Sequence, residues 1–570
     1  MGKNSILIHG TGVSEGIAIA RAYVYEPLDL SIVSKTRDEI TADDECARLY
    51  DAIKQAKAEL DSLYSKLKKS HSNQAKIFLV HRDFLDDDEM LQDIVTSLKD
   101  ENLTAEYAVE MIFNQYADLL KKVGDPVISG RSADLLDAKR RVLRLLMNKK
   151  EKRLDSFSED VIIVARDLLP SDTANLDRTH VKGIVTEHGG ANSHCAILAR
   201  SFMLPAILGV GEEVNEIRDG ELLILDGFTG DALRSFSDEE KHSYEEKRDL
   251  WEQKVREEQT FLLKKCVTRD GTEVELGINV GSDEYEANEK AYDFVGLFRT
   301  EFLYMENTHM PTEEEQFESY RHIIEKEKGK CVTLRTLDIG GDKTLPYFSL
   351  PKEENPFLGE RALRLCFEHP EILLTQLRAV LRASSFGKIQ IMFPMVSCID
   401  DIRKAKSMVK TAMEQLDEKG YSYDKNIKIG VMIEVPSLAL IADLVAKEVD
   451  FASIGSNDLT QYVCAADRMN ASVESYYQTF SPAMLRLLKF IFESFEREGK
   501  SVSVCGEMAG SPKGAVILAG LGAKKLSMNY SLLARVKAEL SRHTISEIKD
   551  LANGCMKLCT EREIRLQMEK

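Results

Sequence analysis

One segment of the 570-residue chain has the pattern of a loop that leads from a strand into a helix and presents a histidine. Two glycines, residues 189–190, allow a tight turn, and Ser193 can cap a helix that begins at His194. An imidazole there suits a phosphoryl carrier, because free N–H groups and the helix dipole stabilise negative charge. The alternatives are a structural histidine and a metal site with His188 and Cys195, for which the segment offers no clear fourth ligand.

A second group of reactive residues follows apolar runs in the C-terminal half of the chain. Four of them are arginines, namely Arg299, Arg335, Arg361 and Arg468. A guanidinium group binds phosphate and carboxylate oxygens through two parallel hydrogen bonds, whereas a single arginine is more often part of a surface ion pair. Glu434 and Asp458 can hold a hard cation such as Mg²⁺. Several arginines together with two carboxylates predict a small phosphate ester that also carries a carboxylate as the ligand.

The elements that must position these residues differ along the chain. Between residues 275 and 528, eight apolar runs suited to β-strands alternate with helical patterns. This alternation predicts a (β/α)8 barrel, whose active site lies at the carboxyl ends of its strands. An open doubly wound sheet is the alternative, but it does not need eight strands.

The N-terminal half combines helical and strand patterns. Apolar residues at spacings of three and four, without proline between Pro27 and Pro126, predict a helical bundle. Shorter apolar runs on either side of it predict an α/β unit. The glycines between Gly10 and Gly16 have the wrong spacing for a dinucleotide-binding loop and favour a strand-turn-strand.

These patterns predict an α/β multidomain protein with four parts. Residues 1–30 and 151–235 form an α/β domain that carries His194, and residues 31–150 are inserted into it as a helical domain. Residues 236–265 form a helical linker, and residues 266–570 form the barrel.

The composition restricts the function further. The chain has 76 basic and 95 acidic residues, a net charge of −19, which disfavours nucleic-acid binding. The sequence contains no run of about 18 apolar residues, so it predicts no membrane-spanning helix. Ten cysteines without CxxC pairs are typical of a cytoplasmic protein.

Six stretches of sequence resemble motifs of the phosphoenolpyruvate-utilising enzymes. GGANSHCAILARSFMLPAILGV is similar to their phosphohistidine motif. DFVGLFRTEFLYM, LRTLDIGGDKTLPYF, NPFLGERALR, MIEVPSLALIADLVAKEVDFASIGSNDLTQYVCAADR and VCGEMAG resemble their barrel domain. The resemblance covers the chain from end to end and includes the helical insert, which is similar to that of the Enzyme I family of the bacterial sugar phosphotransferase system.

This resemblance implies a reaction and a set of residue roles. His194 would take the phosphoryl group of phosphoenolpyruvate and pass it to a histidine of a small HPr-type carrier protein, with release of pyruvate. The implied substrate-binding residues are Arg299, Arg335, Arg361, Arg468, Asn457 and Asp458. Glu434 and Asp458 would ligate Mg²⁺, and Cys505 would protonate the enolate. The resemblance also implies a homodimer formed through the barrel.

The chain departs from the family pattern at Ala191, Asn192, His188 and Glu360, which bear on the local electrostatics, the rate and the choice of carrier. A pyruvate phosphate dikinase or phosphoenolpyruvate synthase would need a nucleotide-binding domain ahead of the phosphohistidine unit, and no GxxxxGK[ST] loop occurs. An inactive regulatory paralogue is the other alternative, against which the intact His194 and Cys505 argue. Since His194 must serve two partners, we expect its domain to swivel, with flexure near residues 227–230 and along the linker.

Overall fold

The chain forms two compact units, residues 1–254 and 255–570. The computed structural model describes residues 5–569 except 27, 29, 33, 37–39, 69–76, 123–125, 150–153, 169–171, 173–175, 191–192, 284, 306, 308, 342, 344, 346, 349 and 352. Each unit has its own hydrophobic core.

The helical part of the first unit comprises α1 (Ala42–Lys68), α2 (Ile77–Phe84), α3 (Asp88–Asp100), α4 (Ala105–Lys122) and α5 (Pro126–Leu146). Leu49, Ile53, Ala56 and Leu60, at helical spacing, are buried along one face of α1. The acidic run at residues 86–89 begins a helix, because the Asp87 side chain accepts a hydrogen bond from the N–H of Met90. The predicted helical insert is therefore observed.

The remainder of the first unit is an eight-stranded sheet with the order β1-β8-β7-β3-β4-β5-β6-β2. Its strands are β1 (Ile6–His9), β2 (Thr11–Ser14), β3 (Ile17–Tyr25), β4 (Val161–Ala165), β5 (Val181–Thr186), β6 (Ala206–Leu208), β7 (Leu222–Asp226) and β8 (Asp231–Arg234). Helix α6 (His194–Phe202) lies between β5 and β6, and α7 (Asp238–Gln259) follows β8. The glycine-rich N-terminus thus forms strands, as its spacing predicts.

The turn at residues 227–230 belongs to a hairpin. The N–H of Gly230 donates to the carbonyl of Asp226 at 2.9 Å, and β7 and β8 pair antiparallel on both sides of the turn. β8 also pairs with β1. Bending at this turn would not free the sheet from the chain that follows, so the prediction of flexure there is wrong. Next to this turn, the ring of Trp251 on α7 lies 4.9 Å from that of Phe228 in an edge-to-face contact.

The second unit contains a closed barrel of eight parallel strands, and the predicted (β/α)8 fold is confirmed. The strands are β9 (Glu275–Val280), β10 (Phe294–Arg299), β11 (Val332–Arg335), β12 (Ile389–Phe393), β13 (Lys428–Ile433), β14 (Phe451–Ile454), β15 (Ser501–Val504) and β16 (Lys525–Met528). The helices are α8 (Glu301–Met305), α9 (Glu313–Lys326), α10 (Leu363–Glu368), α11 (Pro370–Ala383), α12 (Ile399–Lys419), α13 (Pro436–Ala439), α14 (Ala442–Glu448), α15 (Ser456–Cys464), α16 (Pro482–Arg497), α17 (Glu507–Gly510), α18 (Pro512–Leu521), α19 (Leu533–Ser541), α20 (Ile545–Cys555) and α21 (Glu561–Met568).

Two separate apolar clusters lie on opposite sides of the barrel strands. The larger cluster packs the strands against the helices, and the smaller one fills the barrel interior. The interior cluster contains Leu297, Met392, Met432, Phe451 and Cys505. Since strand residues alternate between the two faces, residues two positions beyond these interior side chains point toward the barrel mouth.

Two further observations concern the cysteines and the helices of the described residues. All ten cysteines lie in the described part of the chain and are free thiols. Among the described residues, none of the helices has the length and hydrophobicity of a membrane-spanning segment.

Candidate active site

The alternation of strand residues brings several predicted site residues to the mouth of the barrel. Arg299 and Glu434 each lie two positions beyond an interior residue, Leu297 and Met432 respectively. Cys505 itself belongs to the interior cluster and directly follows β15. Residues distant in sequence thus share one end of the barrel, which is the end where barrel enzymes bind their substrates.

A buried carboxylate, Asp338, connects the cations at this end. The Nε and Nη2 atoms of Arg361 donate to its two oxygens at 2.8 and 3.1 Å, and Arg335 Nη2 lies 3.1 Å from Oδ2. Burial alone would raise the pKa of Asp338, but the two arginines and Lys343 lower it far below its usual value. Asp338 is therefore ionised, and it fixes both guanidinium groups in place.

A second buried carboxylate, Glu301, adds to this network. Its Oε1 atom contacts Arg335 and lies 3.0 Å from Nζ of Lys343. Burial would raise the pKa of Glu301, but Arg335 and Lys343 lower it. Three cations, Arg335, Arg361 and Lys343, share the two carboxylates of Asp338 and Glu301. Removing either carboxylate therefore leaves more than one cation without its partner.

Arg361 extends the cluster to a further carboxylate. Its Nη1 atom lies 3.4 Å from Oδ1 of Asp458 and 3.3 Å from the hydroxyl of Tyr462. Nη1 of Arg468 approaches the same oxygen of Asp458 at 3.6 Å. The structure therefore brings Arg335, Arg361, Arg468 and Asp458 together, as the sequence predicts.

Glu434 is fully buried beside these groups. Its Oε1 accepts the N–H of Met395 at 2.7 Å, whereas Oε2 has no hydrogen-bond partner among the described residues. Burial and the nearby Asp458 and Asp338 raise the pKa of Glu434 to about 8. A carboxylate oxygen left without a donor and close to another acid is a favourable ligand for a hard cation.

The backbone leaves room at this oxygen. A Cβ atom on Gly455 would lie only 2.8 Å from Oε2 of Glu434, so the absence of a side chain keeps the space open. Among the described residues, no group of three or more His, Cys, Asp or Glu side chains is arranged to hold a metal. Glu434 and Asp458 are oxygen donors of the kind that Mg²⁺ prefers, and an ion held by two carboxylates would take its other ligands from substrate and water.

The other predicted residues complete the mouth. The Oδ1 atom of Asn457 accepts the N–H of Glu507 at 2.9 Å, which leaves its NH2 group to bind a ligand. Cys505 is buried, and burial raises the pKa of its thiol. Arg299 is exposed at the end of β10.

The phosphohistidine candidate lies in the first unit. His194 is the first residue of α6, and the Ser193 side chain caps that helix by accepting the N–H of Ala196 at 3.2 Å. The preceding turn contains Gly189, whose φ of +111° favours glycine. Burial raises the pKa of Cys195 to about 12, which disfavours the thiolate needed for the alternative metal site.

Two of the four departures from the family pattern, Ala191 and Asn192, lie outside the described residues. His188 is exposed and lies 3.4 Å from Glu187. Glu360 lies 3.9 Å from His369 and, among the described residues, forms no ion pair with Arg335, Arg361 or Arg468.

Sequence reasoning did not assign roles to several residues of this site. These are Asp338, Glu301, Lys343, Tyr462 and Gly455. Glu301 and Asp338 lie within three residues of the ends of β10 and β11, so their position was a usable signal, whereas Lys343 lies further along the loop after β11. Tyr462 lies within α15, away from any strand end, so its position in the sequence does not indicate that it belongs to the site.

Three family models match this chain. They are the N-terminal domain of PEP-utilising enzymes at residues 9–131, the mobile domain at 157–230 and the PEP-binding domain at 255–545. Among similar proteins, the phosphoenolpyruvate-protein phosphotransferase of Staphylococcus carnosus is 41% identical, covering 98% of this chain and 97% of the relative. That of Bacillus subtilis is 41% identical, with 98% of both chains covered. The solution structure of an Enzyme I protein, nEIt, is 30% identical with a TM-score of 0.39, over 43% of this chain and 99% of that one.

Proposed function

Because the chain belongs to the phosphoenolpyruvate-protein phosphotransferase family, we propose that it transfers the phosphoryl group of phosphoenolpyruvate to His194 and then to a histidine of an HPr-type carrier. The observation that carries this proposal is the cluster in which the buried Arg335 and Arg361 and the half-buried Arg468 surround two carboxylates, those of Asp338 and Asp458. A site with such fixed cations suits a small, multiply charged anion such as phosphoenolpyruvate.

The chemistry of the first half-reaction follows from these groups. The P–O bond of phosphoenolpyruvate breaks while a bond forms between phosphorus and a nitrogen of His194. The arginines and the NH2 group of Asn457 bind the phosphate and carboxylate oxygens and hold the phosphoryl group in line. Glu434 and Asp458 would hold Mg²⁺, which, when bound, helps to neutralise the phosphoryl oxygens.

The leaving group is the enolate of pyruvate, which needs a proton on its methylene carbon. Cys505 lies at the interior of the mouth, and its raised pKa keeps the thiol protonated at neutral pH. The thiol gives its proton to the carbon, and the thiolate recovers a proton from solvent. Pyruvate then leaves.

The second half-reaction requires His194 to reach a separate protein. We assign His194 to a swivelling domain, because it lies in the first compact unit whereas the substrate-binding residues lie in the second. The helical insert would dock the carrier, and the barrel would form a homodimer. The ten free thiols are consistent with a cytoplasmic location.

Incubation of the full chain with ³²P-labelled phosphoenolpyruvate and MgCl2 tests this function. We expect an acid-labile phosphoprotein and stoichiometric pyruvate, both abolished by EDTA and restored by excess Mg²⁺. A chain that binds phosphoenolpyruvate in calorimetry but forms neither product would instead be the inactive paralogue. A chain that neither binds nor reacts would overturn the proposal.

A further inference from the structure

We propose that Asn279 is a positioning residue for the thiol of Cys505, a role that rests on the proposed function of Cys505 as the acid. Asn279 lies near the carboxyl end of β9, and Cys505 directly follows β15. The strand between them in the barrel is β16, which carries Ser527. These three residues form one hydrogen-bonded network at the mouth.

Each hydrogen bond of this network has a defined donor and acceptor. Nδ2 of Asn279 donates to the carbonyl oxygen of Cys505 at 2.9 Å and lies 3.4 Å from the carbonyl oxygen of Ser527. The hydroxyl of Ser527 donates to Oδ1 of Asn279 at 2.6 Å. Since carbonyl oxygens only accept hydrogen bonds, the NH2 group must face them, and the opposite orientation of the amide would lose these bonds.

The barrel leaves space for this arrangement at one position. A Cβ atom on Gly296 of β10 would lie 2.3 Å from the Ser527 hydroxyl oxygen, which is too close for any side chain. The hydroxyl therefore occupies the volume that a side chain at residue 296 would fill. Ser527 is fully buried, so it has little freedom to turn away from Asn279.

Asn279 completes the restraint on the main chain of Cys505. The N–H of Cys505 donates to the carbonyl of Ile454 at 3.1 Å, while Asn279 binds its carbonyl oxygen. The Sγ atom lies 3.5 Å from the same Ile454 carbonyl. With both main-chain groups fixed, the direction of the Cα–Cβ bond is fixed, and the thiol approaches one face of the enolate.

Asn279→Asp removes the NH2 donor at constant shape and places a carboxylate oxygen against the carbonyl of Cys505. We expect kcat for pyruvate formation to fall by about tenfold to a hundredfold, with KM for phosphoenolpyruvate within threefold of wild type. Ser527→Ala keeps the NH2 donor of Asn279 but removes the hydroxyl that orients its amide, so we expect a smaller loss of kcat. Asn426→Asp, in the exposed loop before β13, is the control and should leave kcat unchanged.

A stereochemical measurement separates this role from simple destabilisation. Phosphoenolpyruvate stereospecifically deuterated at C3 is converted in tritiated water, and the chirality of the pyruvate methyl group is determined. Wild type should yield one enantiomer. Asn279→Asp and Ser527→Ala should yield partly racemic product, because the thiol would then protonate both faces of the enolate. Circular dichroism shows whether Asn279→Asp folds. If it does not, the same measurements on Ser527→Ala test the role of the network.

Wild-type kcat and full enantiomeric excess in a folded variant would overturn the role of Asn279. The failure of the proposed function gives a different result, because wild type itself would then release no pyruvate from phosphoenolpyruvate.

Discussion

The barrel mouth and the loop that leads into His194 at the start of α6 hold their polar groups in different ways. At the mouth, Arg335 and Arg361 are held by the buried carboxylate of Asp338 at distances of 2.8–3.1 Å. In the loop, the elements that define the start of α6 are backbone groups, a glycine turn and the cap of Ser193. One region is a network of charges, and the other is a helix end.

The difference shows how each region can select its ligand. The mouth must distinguish a small anion from water and from other anions, so its cations are fixed before the substrate arrives and lose little entropy on binding. On the proposed function, His194 must give the phosphoryl group away again, and N–H groups at the start of α6 would stabilise that group less than a cluster of arginines would. A tight phosphate site at His194 would oppose the second transfer.

The sharpest test of this division is His194→Ala. We expect complete loss of phosphoprotein formation, while phosphoenolpyruvate still binds with wild-type affinity, because the arginines lie in the other unit. Filter-binding of ³²P and calorimetry measure the two properties. His188→Ala, which removes the exposed neighbouring histidine, is the control and should still be phosphorylated. Phosphorylation of the His194 variant would show that another residue is the acceptor.

Cys505→Ala should separate binding from chemistry within the mouth. General-acid groups contribute about 10²–10⁴-fold, so we expect a loss of that order in pyruvate formation with nearly unchanged binding. Stopped-flow coupling to lactate dehydrogenase measures the pyruvate. Cys559→Ala, at an exposed thiol, should retain full activity. Normal turnover of the Cys505 variant would assign this residue to packing alone.

Asp338→Ala tests whether the cluster is interlocked. Breaking a buried ion pair on one side costs about 3–5 kcal/mol, so the free energy of unfolding of the barrel should fall by this amount. Glu448→Ala breaks an exposed ion pair with Arg403 of similar length, 2.7 Å, and should cost less than about 1 kcal/mol. Urea unfolding, followed by far-ultraviolet circular dichroism, measures the free energy of unfolding of both variants. Equal losses would mean that Asp338 does not organise the mouth.

Gly455→Ala tests the space at the carboxylate. The added methyl group would lie 2.8 Å from Oε2 of Glu434, and overpacking of this kind costs about 1–3 kcal/mol. We expect about tenfold weaker activation by Mg²⁺, seen as a shift of the half-saturating concentration. Gly281→Ala has no atom within 4 Å of the new methyl group and is the matched control. An unchanged Mg²⁺ requirement would place the cation elsewhere.

The smallest expected effect is the response of kcat to alkaline pH. Burial raises the pKa of the Cys505 thiol above the ordinary value of about 8.5, and the acid must be protonated to act. The protonated form therefore persists to higher pH than that of a solvated thiol, and kcat should begin to fall only above about pH 8.5. A midpoint near 8.5 that is absent from Cys505→Ala would indicate a solvated thiol and contradict the buried site.

Strand periodicity in the sequence predicts the barrel and places Arg299, Arg335, Glu434 and Cys505 at one end, since each directly ends or follows an apolar run. It does not predict that Asp338 binds two arginines at once, because Asp338 and Arg361 lie at the two ends of the long segment between β11 and α10, and no apolar period shows how that segment folds back. The hairpin at residues 227–230 was misjudged for a similar reason. A pair of glycines suits a hinge or a tight turn equally well in sequence, and only the pairing of β8 with β1 decides between them.

The contact between Trp251 and Phe228 has a practical consequence. The chain has one tryptophan, so its indole fluorescence comes from a single site, where α7 meets the hairpin of the sheet. Edge-to-face packing against a phenyl ring sets the polarity around the indole. The wavelength of that emission is therefore a built-in optical gauge of whether the helix and the hairpin stay together during turnover, and it needs no attached dye.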